Sequence, residues 1–297
     1  MMKLCRYRTN DGIQIGLVNK AETGILRLSR FGIEGGGMKA IIDAFSGPNK
    51  LDRMMVKAAL NEDGDDLMEN VELLAPVDQP PGRIICLGKN YLEHANEVKS
   101  FLGKQGGVPT APIYFGKMVN RIMGHDDTLK VDLSNGCELD YEVEMALFIG
   151  KEGTNITPEE AEAHIFAYTV VNDLTDRAAQ RRHEQWLKGK SIDNTFPMGA
   201  FLVLADTMEF PPNRKIRSYV NGELRQEAST DHLIFSLDEI LSDLSKNFTL
   251  YPGDIILTGT PAGVGMGFTP PKTLQSGDCV DCEIEGIGWL KNRIESK

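Results

Sequence analysis

The chain has 297 residues, 41% of them hydrophobic and 25% charged, the composition of an ordinary globular protein. A formal charge of −11 and a pI near 5.0 argue against the basic surface of a nucleic-acid protein. Acidic small molecules stay open as ligands, because a local group of Lys and Arg can hold them inside an acidic protein. No run of about 18 apolar residues occurs, which speaks against a transmembrane helix. The start, MMKLCRYRTNDG, has no signal-type apolar stretch, so a cytoplasmic location is expected.

In chain order, LCRYR, IQIGLV and GILRL read as short strands, and MKAIIDAF and LDRMMVKAAL as short helices. The Pro-rich VELLAPVDQPPGR then reads as a boundary. The expectation is a small N-terminal α+β domain over residues 1–75 and a main domain over 76–297, mostly strands with a few helices. IICLGKNYLEHANEVK runs from an apolar strand into a helical segment, where His94 and Glu97 share a face three residues apart. A carboxylate beside an imidazole sets its tautomer and raises its basicity, as a general base requires. The plainer alternative is an exposed pair on a surface helix.

DYEVEMALFIG is the most informative segment. As a strand it puts Tyr141, Val143, Met145, Leu147 and Ile149 on one face and Glu142, Glu144, Ala146 and Phe148 on the other. Two adjacent carboxylates among apolar neighbours are costly unless a positive charge sits between them. A divalent cation supplies it, and an all-oxygen set favours Mg²⁺ or Mn²⁺, with Ca²⁺ as a further candidate. The alternative is an edge strand whose Glu face meets solvent. Next, AYTVVNDLTDRAAQ reads as a buried strand ending at Asn172-Asp173, with Asp173 and Asp176 both open as a third carboxylate.

Thr157-Pro158-Glu159-Glu160 and Ser236 to Glu239 have the form of helix-capping boxes, and Asn221-Gly222 signals a tight hairpin. LKGKSIDNTFPMGAF places Lys188 and Lys190 before an apolar run. Its GKS is not a phosphate-binding loop, because the required first glycine is Glu184. GTPAGVGMG follows the strand DIILTG with the wrong spacing for a dinucleotide motif. It could still offer backbone N–H groups and the Thr260 hydroxyl to an anion, or be a plain turn. Of five cysteines, Cys279 and Cys282 spell C-x-x-C, but no second pair or nearby His completes a zinc pattern.

Taken together, GKNYLEHANE, APIYFGK, ELDYEVEMALFIGK, AYTVVNDLTDR, GKSIDNTFPMG, VNGELRQ, LYPGDIILTGTPAGVG and GDCVDCEIEGIGWLKN resemble, in order, the fumarylacetoacetate hydrolase superfamily. The resemblance covers about residues 76–297, and the N-terminal part is similar to that of many bacterial-type members. It implies a mixed β-sandwich/β-roll fold, a homodimer, and a Mg²⁺ or Mn²⁺ site on Glu142, Glu144 and Asp173 rather than Asp176. It also implies a catalytic dyad at His94 and Glu97, an active-site lysine at Lys190, and substrate contacts at Gln180 and Thr260. Many relatives read F-x-K-P-S where this chain has Phe115 to Arg121. Lys117 is kept and Arg121 is added, so both are candidates for a second substrate carboxylate.

The leading expectation is metal-dependent hydrolysis of a C–C bond in a 2,4-dioxo acid of the acylpyruvate type, giving pyruvate and a carboxylic acid. Glu97 would orient His94, His94 would activate water, and Lys190 would stabilise the oxyanion. The alternatives are decarboxylation or tautomerisation of an oxaloacetate-like acid at the same site, and a metal-binding member without activity.

Overall fold

The computed structural model describes residues 1–33, 37–47, 51–102 and 107–297. As expected, the fold is mostly β. A large mixed sheet runs in the order Asp66–Leu67, Gly24–Arg27, Gly12–Val18, Lys3–Thr9, Phe201–Leu204, Ile165–Asn172, Val143–Ile149, Ile255–Leu257, Ile84–Gly88 and Ile113–Gly116. A second sheet carries Glu223–Ser229, Lys215–Val220, Cys279–Ile284, Gly288–Ser296 and Thr128–Val131. A two-stranded ribbon joins Leu139–Asp140 to Thr175–Asp176.

The strand Val143–Ile149 explains the layering. It lies inside the large sheet, paired antiparallel with Ile165–Asn172 on one side and with Ile255–Leu257 on the other, so it is not an edge. Tyr141, Val143, Met145, Leu147 and Ile149 enter the core shared with the second sheet, beside Ile216, Val280 and Leu290. Ala146 and Phe148 enter another core, with Ile41, Phe45 and Val56 of the helices Met38–Ser46 and Arg53–Ala59. Period-two alternation thus feeds two apolar layers. Each fully buried aliphatic side chain there stabilises the fold by about 1.5–3 kcal/mol.

The N-terminal part does not stand apart. Lys3–Thr9 pairs antiparallel with Phe201–Leu204, Lys3 opposite Val203. Met2, Leu4 and Leu17 share their core with Phe148 and Leu202. Sheet and core therefore both cross the boundary expected near residue 75.

The local signals take the forms their chemistry requires. Glu160 and Glu239 each return a carboxylate to the backbone N–H of their cap residue, Thr157 at 3.3 Å and Ser236 at 2.8 Å. These caps open the 3₁₀ turn Pro158–His164 and the helix Leu237–Asn247. Asn221 and Gly222, at φ 52° and 81°, turn Lys215–Val220 into Glu223–Ser229. Cys282 is buried and Cys279 partly exposed, and both are free thiols. Among the described residues no helix is long and apolar enough to cross a membrane.

Candidate metal centre and active site

Two neighbouring strands deliver the carboxylates. Glu142 and Glu144 stand at the start of Val143–Ile149, and Asp173 directly follows Ile165–Asn172. The register sets Val143 opposite Asn172. The Asn172 side chain accepts a bond from the Glu142 N–H at 2.9 Å, and the Asp173 N–H donates to the Glu142 carbonyl at 2.8 Å. One oxygen from each of Glu142, Glu144 and Asp173 lies within 4.8 Å of the others, and all three residues are buried. Asp176 faces elsewhere, accepting from Ala178 and Ala179 N–H at 3.0 and 3.2 Å as the cap of the helix Arg177–Arg182.

Buried cations ring this cluster. Lys190 Nζ donates to Glu142 Oε2 and Asp173 Oδ2, both at 2.6 Å. Lys117 Nζ reaches Asp173 Oδ1 at 2.7 Å and the Leu174 carbonyl at 3.0 Å. Arg177 lies 2.7 Å from Glu142 Oε1 and 2.8 Å from Asp140 Oδ2, and it also donates to Gln180 Oε1 at 3.0 Å. Burial alone would push Glu142 up, but the charges of Lys190, Arg177 and His94 outweigh it and hold the carboxyl at about 2. Glu144 goes the other way: burial, then Asp173 and Glu142, push it well above the usual carboxylate range. It accepts a hydrogen bond from the Gly259 N–H at 2.7 Å.

These residues fit a hard divalent cation. The donor set is all oxygen, the oxygens converge, and Glu144 is a buried acid that its neighbours leave short of positive charge. The cluster could therefore hold a metal.

Above the cluster, the helix Leu92–Leu102 carries the dyad. His94 is 4% exposed, and its Nδ1 lies 2.9 Å from Glu97 Oε2. Facing a carboxylate, Nδ1 carries the proton, which leaves Nε2 to take or give one. Glu97 Oε1 accepts from the Gly263 N–H at 3.0 Å. The glycine-rich loop thus spends its N–H groups on the protein's own acids, since Gly265 and Met266 donate to Asp140 at 2.7 and 3.1 Å. Thr260 is buried, donating to the Val143 carbonyl at 2.9 Å and accepting from Gln226 at 2.7 Å.

A narrow cleft of about 20 Å³ opens beside the cluster, lined by residues including Phe115, Glu142, Glu144, Gln180, Trp186, Lys190 and Thr260. Of the residues expected to meet substrate, Gln180 and Thr260 line it. Lys117 is instead committed to Asp173, and Arg121 is exposed and outside the cleft lining. Sequence reasoning passed over Asp140, Arg177 and Trp186. Asp140 extends the one-face pattern of Glu142 and Glu144 by a further step of two, so the periodicity could have found it. Arg177 and Trp186 carry no such local signal.

The comparisons bear on this geometry. Residues 83–295 match the family model "Fumarylacetoacetate (FAA) hydrolase C-terminal". "Oxaloacetate tautomerase YisK" of Bacillus subtilis is 48% identical over 227 residues, covering 76% of this chain and 74% of that protein. "Oxaloacetate tautomerase fahd2, mitochondrial" of Xenopus laevis is 40% identical, covering 76% and 69%. Among solved structures, a fumarylacetoacetate hydrolase from Exiguobacterium antarcticum superposes with a TM-score of 0.83 at 34% identity, covering all of both chains. A 5-carboxymethyl-2-hydroxymuconate delta-isomerase from Mycobacterium smegmatis gives 0.74 at 28%, again over all of both. The chain belongs to the fumarylacetoacetate hydrolase family.

Proposed function

We propose that the chain is a divalent-metal-dependent tautomerase of a short 2-oxo dicarboxylic acid of the oxaloacetate type, interconverting its enol and keto forms. The observation that carries this reading is the buried three-carboxylate cluster with the His94–Glu97 pair beside it, which puts a candidate cation site and a proton carrier together. The two relatives with tautomerase names support it.

Glu142, Glu144 and Asp173 would hold the metal, which when bound supplies Lewis-acid stabilisation of developing enolate charge. The chain's own groups do the rest. Glu97 holds His94 with its proton on Nδ1, so Nε2 takes a proton from the substrate's C3 on enolisation and returns it on ketonisation, while the enol oxygen gains or loses its own proton to solvent. Lys190 places a buried ammonium, held charged by Asp173 and Glu142, near the oxygen that bears the enolate charge. Gln180 and Thr260 line the cleft and orient the acid.

Decay of the oxaloacetate enol absorbance, with Mg²⁺ or Mn²⁺ present, tests the reading. The protein should accelerate ketonisation well above the metal-containing buffer, and His94→Ala should lose about 10²- to 10⁴-fold while still binding metal. A wild-type rate equal to buffer would discard the proposal. Hydrolysis of a 2,4-dioxo acid is the second reading, favoured by the full-length likeness to a fumarylacetoacetate hydrolase. Turnover in H₂¹⁸O separates the outcomes: labelled carboxylate marks hydrolysis, CO₂ marks decarboxylation, and neither appears on tautomerisation.

A further inference from the structure

Asp140 takes no direct part in the reaction proposed above, yet it lies fully buried between the carboxylate cluster and the glycine-rich loop. The two-stranded ribbon sets it opposite Thr175, and Arg177 follows two residues later. Its Oδ2 accepts from Arg177 Nε at 2.8 Å and from the Met266 N–H at 3.1 Å. Its Oδ1 accepts from the Gly265 N–H at 2.7 Å and from the Tyr141 N–H at 2.9 Å. One carboxylate thus joins the guanidinium beside Glu142 to the 3₁₀ turn Gly265–Gly267.

That turn is pressed against Glu97. A Cβ on Gly267 would overlap Glu97 Oε1 and stand 2.8 Å from its Cγ, and a Cβ on Gly265 would stand 2.7 Å from Asp140 Oδ1. Glycine at both positions lets the backbone fill the space between the two acids. Gly263, just ahead of the turn, donates to Glu97 Oε1 at 3.0 Å. The other oxygen, Glu97 Oε2, faces His94 Nδ1. The contacts therefore run from Asp140 to the turn, from the turn to Glu97, and from Glu97 to His94.

We infer that Asp140 is a positioning residue for the His94–Glu97 pair, acting through the turn Gly265–Gly267. The inference rests on the reading of His94 as the proton carrier. Donors approach both oxygens of Asp140, and only an ionised carboxylate accepts at both, since an amide offers one acceptor and one donor. Asparagine here would keep its oxygen on the Arg177 guanidinium, the stronger donor, and turn its NH₂ toward the Gly265 N–H. The turn then loses its shortest bond to residue 140, while Arg177 keeps its place beside Glu142. The pair should be disturbed and the metal cluster spared.

The test compares Asp140→Asn and Gly267→Ala with wild type, the second changing the turn from its Glu97 side without touching the buried acid. Nitrogen-15 NMR of histidine-labelled, metal-free protein reads the His94 tautomer, its signals assigned by their absence in His94→Ala. Wild type should show the Nδ1–H form, and both variants a mixture with the Nε2–H form. For the oxaloacetate enol with Mg²⁺, kcat should fall at least about tenfold with KM held within about twofold. Adding Asp140→Asn to Glu97→Gln should cost less than about a further twofold, because both act on one contact. Calorimetry should find Mn²⁺ affinity of Asp140→Asn within about threefold of wild type, since Arg177 still faces Glu142. An unchanged His94 tautomer in the folded variants, or a loss of Mn²⁺ affinity that accounts for the loss of rate, would overturn the inference. A changed tautomer with kcat unmoved would reject His94 as the proton carrier and keep the assignment of Asp140.

Discussion

Glu142 and Glu144 stand two residues apart in one chain segment, both buried, yet they are charged to opposite degrees. The Glu142 end is crowded with Lys190, Arg177 and His94, and its carboxyl is held at about 2. The Glu144 end has the Gly259 N–H and two neighbouring carboxylates, and its carboxyl is pushed up. Glu142 is thus tied into a buried ion pair, whereas Glu144 is an acid placed at a cost to the fold. A site arranged in this way gains most from a cation that arrives at the Glu144 side.

The largest effect expected from this comparison lies in metal-free protein. Glu142→Gln leaves Lys190 and Arg177 facing a neutral group in a buried setting, where breaking an ion pair costs about 3–5 kcal/mol. Glu144→Gln removes a poorly compensated charge and should leave the stability unchanged or higher. Urea unfolding in EDTA measures both, and equal destabilisation of the two variants would contradict the asymmetry. With Mn²⁺ the ranking should close up, because at the proposed metal site both substitutions would remove a ligand oxygen and weaken metal binding.

The next effect is one of pH. Glu142, depressed from 4.5 to about 2, contributes stability that is complete above about pH 4.5 and is lost as pH falls toward 2. Glu144, raised well above 4.5, works in reverse: the fold gains from its protonated form at low pH and loses that gain as pH rises through its folded value. Metal-free protein should therefore lose stability upward from about pH 5, while saturating Mn²⁺ should cancel this slope by favouring the ionised form. Metal at about a hundred times its Kd should add about 2.7 kcal/mol. Thermal melts across pH, with and without Mn²⁺, read both effects. A metal-free slope that Glu144→Gln leaves unchanged would locate its source elsewhere.

The two ends also differ in how far the sequence reveals them. Alternation over Tyr141 to Ile149 was legible because a strand between two apolar cores repeats every two residues. The same period carries Asp140, Glu142 and Glu144. Asp173 was only one of two open acids until the family resemblance selected it, because its place depends on the pairing of Val143 with Asn172 across 29 residues of chain. Lys117 illustrates the remaining gap. It was read as a substrate contact, yet a salt bridge over 56 positions commits it to Asp173, and no local pattern encodes that. Likewise, the N-terminal strands were legible as strands, but their joining to Phe201–Leu204 is a tertiary fact.

The smallest effect concerns Glu97, which joins the dyad to the loop that also supplies Gly259 to Glu144. Its Oε2 faces His94 and its Oε1 accepts from Gly263, four residues beyond Gly259. Glu97→Gln keeps an oxygen for one of these bonds but removes the negative charge that sets the His94 tautomer. Losing such a supporting carboxylate costs about 10- to 100-fold, less than losing His94 itself. The split of kinetic constants separates the causes: because Glu97 acts through His94, the loss should fall on kcat with KM near wild type. Adding Mn²⁺ should leave the metal affinity of this variant near wild type. A Glu97→Gln protein with weakened Mn²⁺ binding would instead mean that the loop transmits the loss to Glu144, and the dyad and the cluster would then be one mechanical unit.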